Sequence, residues 1–205
     1  GLVRISRDNG NMWEIHQNFP GVPQKAYVTD VVTSKHDVNT IYVSFNHHKY
    51  GDFKPYLVVT KDGGKTWKSI SSNIPENNFV WTVVEDHINP NLLFVGTEFG
   101  MYFSMDAGSS WRKFKKVPTI PIRDLEIHEG EDDLVAASFG RGFYIVDDYS
   151  PIREYSRQID QKIAHMFSVK STYQYVVAAP EKTATGHNFF TSPNPPYGIK
   201  LSYYL

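Results

Sequence analysis

Cysteine is absent from all 205 residues, which excludes disulfides, thiolate nucleophiles and cysteine-ligated zinc and leaves the redox compartment open. No apolar run approaches the roughly 20 residues of a membrane-spanning helix, so no transmembrane segment is expected. Neither sign of charge is in surplus: 21 Lys and Arg stand against 22 Asp and Glu, a net charge of −1. Nucleic acid and anionic membrane surfaces are therefore not expected partners. Hydrophobic residues make up 40 % of the chain and aromatics 15 %, enough to fill the core of one domain, or of one domain and a piece of another.

Three short frames repeat: SRDNGNMW (Ser6 to Trp13), TKDGGKTW (Thr60 to Trp67) and SMDAGSSW (Ser104 to Trp111). In each, Ser or Thr stands two before an Asp, Gly two after it and Trp five after it. Asp62 follows Asp8 by 54 residues and Asp106 follows Asp62 by 44. Between the frames lie short β-branched and aromatic runs, VTDVVT, TIYVSF, PYLVVT and WKSI, then VWTVVE, LLFVGT, MYFS and WRKF. Helical periodicity is absent here. Short strands at a period of roughly 40–50 residues are the pattern of propeller blades. Each frame then joins the third strand of a blade to its fourth. Its Gly (Gly10, Gly64, Gly108) supplies positive φ, its Asp (Asp8, Asp62, Asp106) accepts loop N–H groups, and its Trp (Trp13, Trp67, Trp111) opens the outer strand and covers the turn. Each turn has too few carboxylates for a calcium shell, so the frames read as structural staples and neither metal nor cofactor is expected.

The pattern Ser/Thr-x-Asp-x-Gly-x-x-Trp resembles the Asp box, or BNR repeat, of sialidases, xyloglucanase-type glycoside hydrolases and sortilin/VPS10 receptors. The chain as a whole resembles bacterial, secreted, sortilin-like BNR-repeat "glycosyl hydrolase" proteins, through Gly51 to Leu57, SFGRGFYIVDDYSPIRE (Ser138 to Glu154) and NPPYGIKLSYYL (Asn194 to Leu205). The resemblance implies a propeller, export to the periplasm or cell surface, and a β-sandwich beginning at the last strand.

The fold expected is all-β: about three and a half four-stranded blades of a partial propeller. Residues 1–149 form the blades, 150–198 an exit segment and linker, and 199–205 the first strand of a second domain. Residues 2–16 supply only two strands, two full blades follow, and a fourth unit near residues 122–146 has no Asp frame after its third strand. Bare sheet edges would remain at both ends, so closure by the rest of a larger propeller or by another polypeptide is expected. Ile199, Leu201, Tyr203 and Leu205 alternate as one face of a half-buried strand would.

Propeller analogy places the Asp frames at one end of the blades and ligands at the other. At the ligand end, Asn46 to Pro55 reads as a long second-to-third-strand loop carrying His47, His48, Tyr50, Asp52 and Phe53. Phe99, Phe139 and the flexible turn Gly140-Arg141-Gly142 fall at the same end. His47 and His48 are adjacent in extended chain and point to opposite sides, which argues against a shared metal. Arg141 is placed to fork onto a carboxylate, or to pair with Asp147 or Asp148; Arg4 and Arg123 lie on strands, and Arg7 and Arg112 beside Asp frames. At the Asp-frame end, Asp86-His87 reads as a turn, and Glu129, Glu131, Asp132 and Asp133 as a solvated hairpin tip.

Two functions remain open. A glycosidase needs two opposed carboxylates, about 5–5.5 Å apart for retention or about 6.5–9.5 Å for inversion, and Asp52 and Glu98 are the pair on offer. A non-catalytic scaffold would use the aromatic and charged loops to hold a protein, peptide or glycan. The residues favour the scaffold.

Overall fold

The computed structural model describes residues 1–156, 158–172, 174 and 197–205. Two compact units are present, Gly1–Arg153 and Glu154–Leu205. The first is a series of antiparallel sheets, each wound in sequence order, as in a partial β-propeller. Strands β1 (Val3–Ile5) and β2 (Glu14–His16) form a two-stranded sheet. Next comes the four-stranded sheet β3 (Tyr27–Thr33), β4 (Ile41–His47), β5 (Asp52–Thr60) and β6 (Lys68–Ser69). A second four-stranded sheet contains β7 (Val80–Glu85), β8 (Leu93–Thr97), β9 (Gly100–Ser104) and β10 (Arg112–Lys113). A three-stranded sheet closes the series with β11 (Ile122–His128), β12 (Asp133–Ser138) and β13 (Phe143–Val146).

Strand alternation sends side chains to both faces of each sheet, and in the two four-stranded sheets the central strands are buried on both faces against neighbouring blades. On β4, Ile41, Val43 and Phe45 join the core shared with the first sheet, while Tyr42 joins the core shared with the third. On β8, Leu93 and Val95 face backward, and Phe94 faces forward onto Ile122, Leu125 and Leu134. This double burial explains why the central strands read as nearly unbroken apolar runs.

The expected long loop is shorter than its sequence suggests. β4 extends to His47 and β5 begins at Asp52, opposite it. The two are joined by one 3-10 turn, His48–Tyr50, with Gly51 at φ 77°. The extra residues therefore lengthen a hairpin.

The first Asp frame is the turn between β1 and β2, and the other two are the turns between the third and fourth strands of their sheets. In the second, Asp62 Oδ1 accepts the Thr66 amide at 2.8 Å and the Thr60 hydroxyl at 2.7 Å, while Thr60 Oγ1 accepts the Gly64 amide at 2.8 Å. Ser104, Asp106, Gly108 and Ser110 repeat this arrangement. So do Ser6, Asp8, Gly10 and Met12. The hydroxyl two before the Asp thus relays between carboxylate and glycine amide. Thr66 and Ser110 also donate their hydroxyls to the second carboxylate oxygen, which Met12 cannot do. The Thr66 hydroxyl, ahead of its amide and Thr60, holds Asp62 down to a pKa of about 2.

The second and third turns also bind the preceding blade. Trp111 is buried; its indole N–H donates to the Ile70 carbonyl at 2.6 Å, and Asn73 bonds both its backbone groups. Trp67 is half-buried against Phe19, with ring centroids 5.0 Å apart. Trp13 is 55 % exposed and bonds only within its own turn. The expectation that Trp covers its own turn fits Trp13, which bonds Gly10, and is corrected for Trp67 and Trp111, whose indoles reach back to the previous blade. Glycine follows the same rule. A Cβ on Gly108 would lie 2.9 Å from Ile70 and one on Gly64 2.7 Å from Ile5, whereas one on Gly10 would meet only Trp13.

Asp86 is more than a turn residue, and the acidic tip is solvated only in part: Glu129 and Glu131 are exposed, whereas Asp132 and Asp133 are bonded internally. Asp86 is buried and takes a bidentate pair of bonds from Arg153, at 2.8 and 2.7 Å, with the Tyr149 hydroxyl at 2.6 Å. Arg153 also donates to Asp132 at 2.6 Å, and the Asp133 carboxylate accepts the Asp148 amide. Burial raises the Asp86 pKa, but the bonds from Arg153, Tyr149 and Asn89 outweigh it, and the net shift is downward. The lock on this last blade is Arg153, carried by the short helix α1 (Ser150–Glu154), where the sequence reading had considered Arg141.

In the second unit, β14 (His165–Met166) pairs with β15 (Tyr203–Tyr204). Ile199, Leu201, Tyr203 and Leu205 are exposed, 57 to 80 %, so the predicted half-buried face has no cover among the described residues. Apart from Tyr197 and Gly198, the predicted Pro-, Thr- and Asn-rich linker (180–198) lies outside the described residues. No helix of the described residues is long and apolar enough to cross a membrane.

Candidate ligand face

The end of the blades opposite the Asp turns is built from the β4–β5, β8–β9 and β12–β13 turns and from the strands that enter each blade. All three innermost strands carry a β-bulge at the same place. The register skips Thr29 between Val28 and Asp30, Trp81 between Val80 and Thr82, and Arg123 between Ile122 and Asp124. A bulge re-aims the extra side chain away from strand alternation. Here each extra residue engages the blade beside it. Thr29 donates to the Val80 carbonyl at 3.1 Å, and the Arg123 guanidinium lies 3.4 Å above the centroid of the Trp81 ring.

Trp81 is fixed on several sides. Its indole N–H donates to Glu98 at 2.9 Å, Phe79 meets it edge to face at 4.9 Å, and His48 lies 6.0 Å away. Phe53 adjoins Phe79 at 6.4 Å. The Phe139 ring also lies 4.8 Å from the Arg123 guanidinium, and the Phe139 amide donates to the Pro121 carbonyl. The result is a run of contacts: Phe53, Phe79, Trp81, Arg123, Phe139.

The structure brings together only some of the residues singled out in the sequence. His48 stacks on Phe79 and joins this run; His47 stacks on Tyr50, with centroids 4.4 Å apart. His47 and Tyr50 instead line a surface pocket of about 450 Å³ with Tyr27, Asn46 and Lys49. Phe99 is 43 % exposed, its amide bonded to buried Asn78. Arg141 is exposed between two glycines of positive φ, and no hydrogen bond or ion pair holds it among the described residues. Asp52 accepts the Tyr56 hydroxyl at 2.6 Å and the Lys54 amide at 3.2 Å, and burial with this bond pushes the Tyr56 phenol well above its ordinary range. Glu98 is engaged by Trp81. Both proposed catalytic carboxylates therefore serve as internal acceptors.

Trp81 and Arg123 were missed as site residues because strand alternation takes no account of a bulge. A signal was present: in the repeat, Val28, Val80 and Ile122 match, as do Val31, Val83 and Leu125, but Thr29, Trp81 and Arg123 differ completely.

No family model and no curated protein matches this chain. Solved propellers do. The GH74 enzyme of Niastella koreensis matches with a TM-score of 0.54 and 14 % identity, over 73 % of this chain and 25 % of that one. The GH74 xyloglucanase of Xanthomonas campestris gives 0.52 and 15 %, over 70 % and 24 %. YCF48 bound to D1 peptide gives 0.52 and 18 %, over 72 % and 46 %. The chain thus spans less than half the length of these propellers, and the likeness is one of fold.

Proposed function

We propose that this chain is part of an exported, sortilin-like Asp-box propeller that acts as a non-catalytic scaffold, presenting its loop end to a protein, peptide or glycan. The observation that carries the reading is the contrast at that end. The two carboxylates on offer as an acid and base are tied to Tyr56 and Trp81, while Phe53, Phe99, Phe139 and two arginines are exposed. The propeller fold is compatible with both hydrolysis and peptide binding, since the similar structures include a GH74 xyloglucanase and a peptide-bound YCF48. Uncovered Trp13 supports closure by further blades, from the same polypeptide or another, and the exposed apolar face of residues 199–205 supports the start of a further domain.

The test is reducing-sugar release by the full-length protein on plant, host and bacterial polysaccharides, beside Asp52→Asn and Glu98→Gln. No turnover from folded protein is expected. Turnover lost in either variant would replace the scaffold with a glycosidase. Appearance of the protein in the cytoplasmic fraction of its native cell would sink the exported part of the reading.

A further inference from the structure

The bulge at Arg123 produces an arrangement with a chemical consequence. The guanidinium rests flat on Trp81 and beside Phe139, so one face of its π-system is covered while its N–H edges are left open. Arg123 is exposed, and among the described residues it donates no hydrogen bond and makes no ion pair. Glu98, the carboxylate held on Trp81, accepts the indole N–H. Stacking of this kind pre-orients a fork of donors whose geometry matches a carboxylate. Trp81 itself is fixed by Glu98 and Phe79, so the platform is set before any ligand arrives.

We propose that Arg123 receives the side-chain carboxylate of an Asp or Glu within a peptide whose flanking residues are apolar. This rests on the binding reading above and narrows it. The choice of peptide over sugar follows from what covers Trp81. A sugar ring needs a free indole face, and here Arg123 occupies one face while Phe79 and His48 crowd the ring. The rings still open, Phe53 at 49 % and Phe139 at 66 % exposure, carry no hydrogen-bonding group to recognise hydroxyls. An acidic residue inside a segment is favoured over a chain terminus because two exposed rings belong to the run that holds the cation, Phe139 at 4.8 Å from it and Phe53 past Trp81 and buried Phe79. A terminal carboxylate would leave one side unfilled.

The experiment uses a synthetic array of ten-residue peptides with a central Asp or Glu flanked by Phe, Leu or Trp. Matched peptides carry Asn or Gln at the centre, and a third set carries its carboxylate only at a free C-terminus. Peptides bound by the full-length protein are then titrated by calorimetry against wild type, Arg123→Lys, Arg123→Gln and Arg141→Gln. The expected result is binding that weakens about tenfold or more when the central acid becomes its amide. Arg123→Gln should lose a similar factor, Arg123→Lys should recover only part of it because it lacks the fork, and Arg141→Gln should lose less than Arg123→Gln. Circular dichroism and the urea midpoint should match wild type in each variant. Equal binding of acid and amide peptides, or unchanged affinity in Arg123→Gln, overturns the assignment. Capture of C-terminal carboxylates alone overturns the internal site. Failure to bind any peptide overturns it as well; if neutral glycans bind instead, the scaffold reading survives without it.

Discussion

The two ends of the blades use the same strands in opposite ways. At the turn end, polar groups are consumed internally: Asp62 and Asp106 each accept an amide and two hydroxyls, and Asp86 is saturated by Arg153, Tyr149 and backbone. At the loop end, ring contacts join neighbouring blades alongside hydrogen bonds, and among the described residues Arg123 and Arg141 donate no hydrogen bond. Buried polar groups must be paired, so the turn end holds blades together. Exposed cations on aromatic supports hold nothing essential, so the loop end is free to engage a partner. Within the turn end itself a gradient runs from buried Trp111 to exposed Trp13, and it separates the turn's own geometry from its service to the previous blade.

That comparison can be broken by substitution. Trp111→Ala should cost about 3–5 kcal/mol, the range for emptying a buried aromatic site. Trp13→Ala, in the same frame, should stay within about 0.5 kcal/mol in urea unfolding. Similar losses at both positions would mean that the indole serves its own turn. Arg153→Met should cost about 3 kcal/mol because it leaves Asp86 buried and unpaired, and adding Asp86→Asn should restore part of the loss. A loss below about 1 kcal/mol would remove the lock from the turn end.

Smaller effects follow at the turns themselves. Gly108→Ala should destabilise by about 2 kcal/mol, since it combines positive φ with a clash on Ile70. Ala107, also at positive φ, should gain about 0.5–1 kcal/mol as Gly. Asp62 is depressed from 3.8 to about 2 by the Thr66 and Thr60 bonds. Its contribution is therefore complete above its unfolded value and lost as pH falls from 3.8 to about 2. Stability measured across that window should fall more steeply in wild type than in Asp62→Asn, and parallel curves would contradict the assignment. Phe139→Ala, at the loop end, should leave the urea midpoint unchanged.

The blades were legible because their signals are local: apolar runs of strand length and a turn frame repeated three times. The role of Trp67 and Trp111 was not, since the frame states which residue is present and not which blade it touches. Arg153 gave no local hint; its partners Asp86 and Asp132 lie 67 and 21 residues away, and only the winding of the chain brings them together. At the loop end, the exposed aromatics could be anticipated from loop position. Arg123 could not, because a single extra residue in β11 changes the side to which it points.

The graded setting of the frame tryptophans also equips the molecule with its own optical reporters. An indole at 55 % exposure emits at longer wavelength than one sealed at 4 %, so Trp13 and Trp111 should differ in colour and in access to iodide. If Trp111 and Trp67 are replaced by Phe and Trp81 is retained as a constant background, a blue shift would mark the moment at which Trp13 gains a neighbour. Addition of candidate upstream blades could then be followed joint by joint in solution, without attaching a dye.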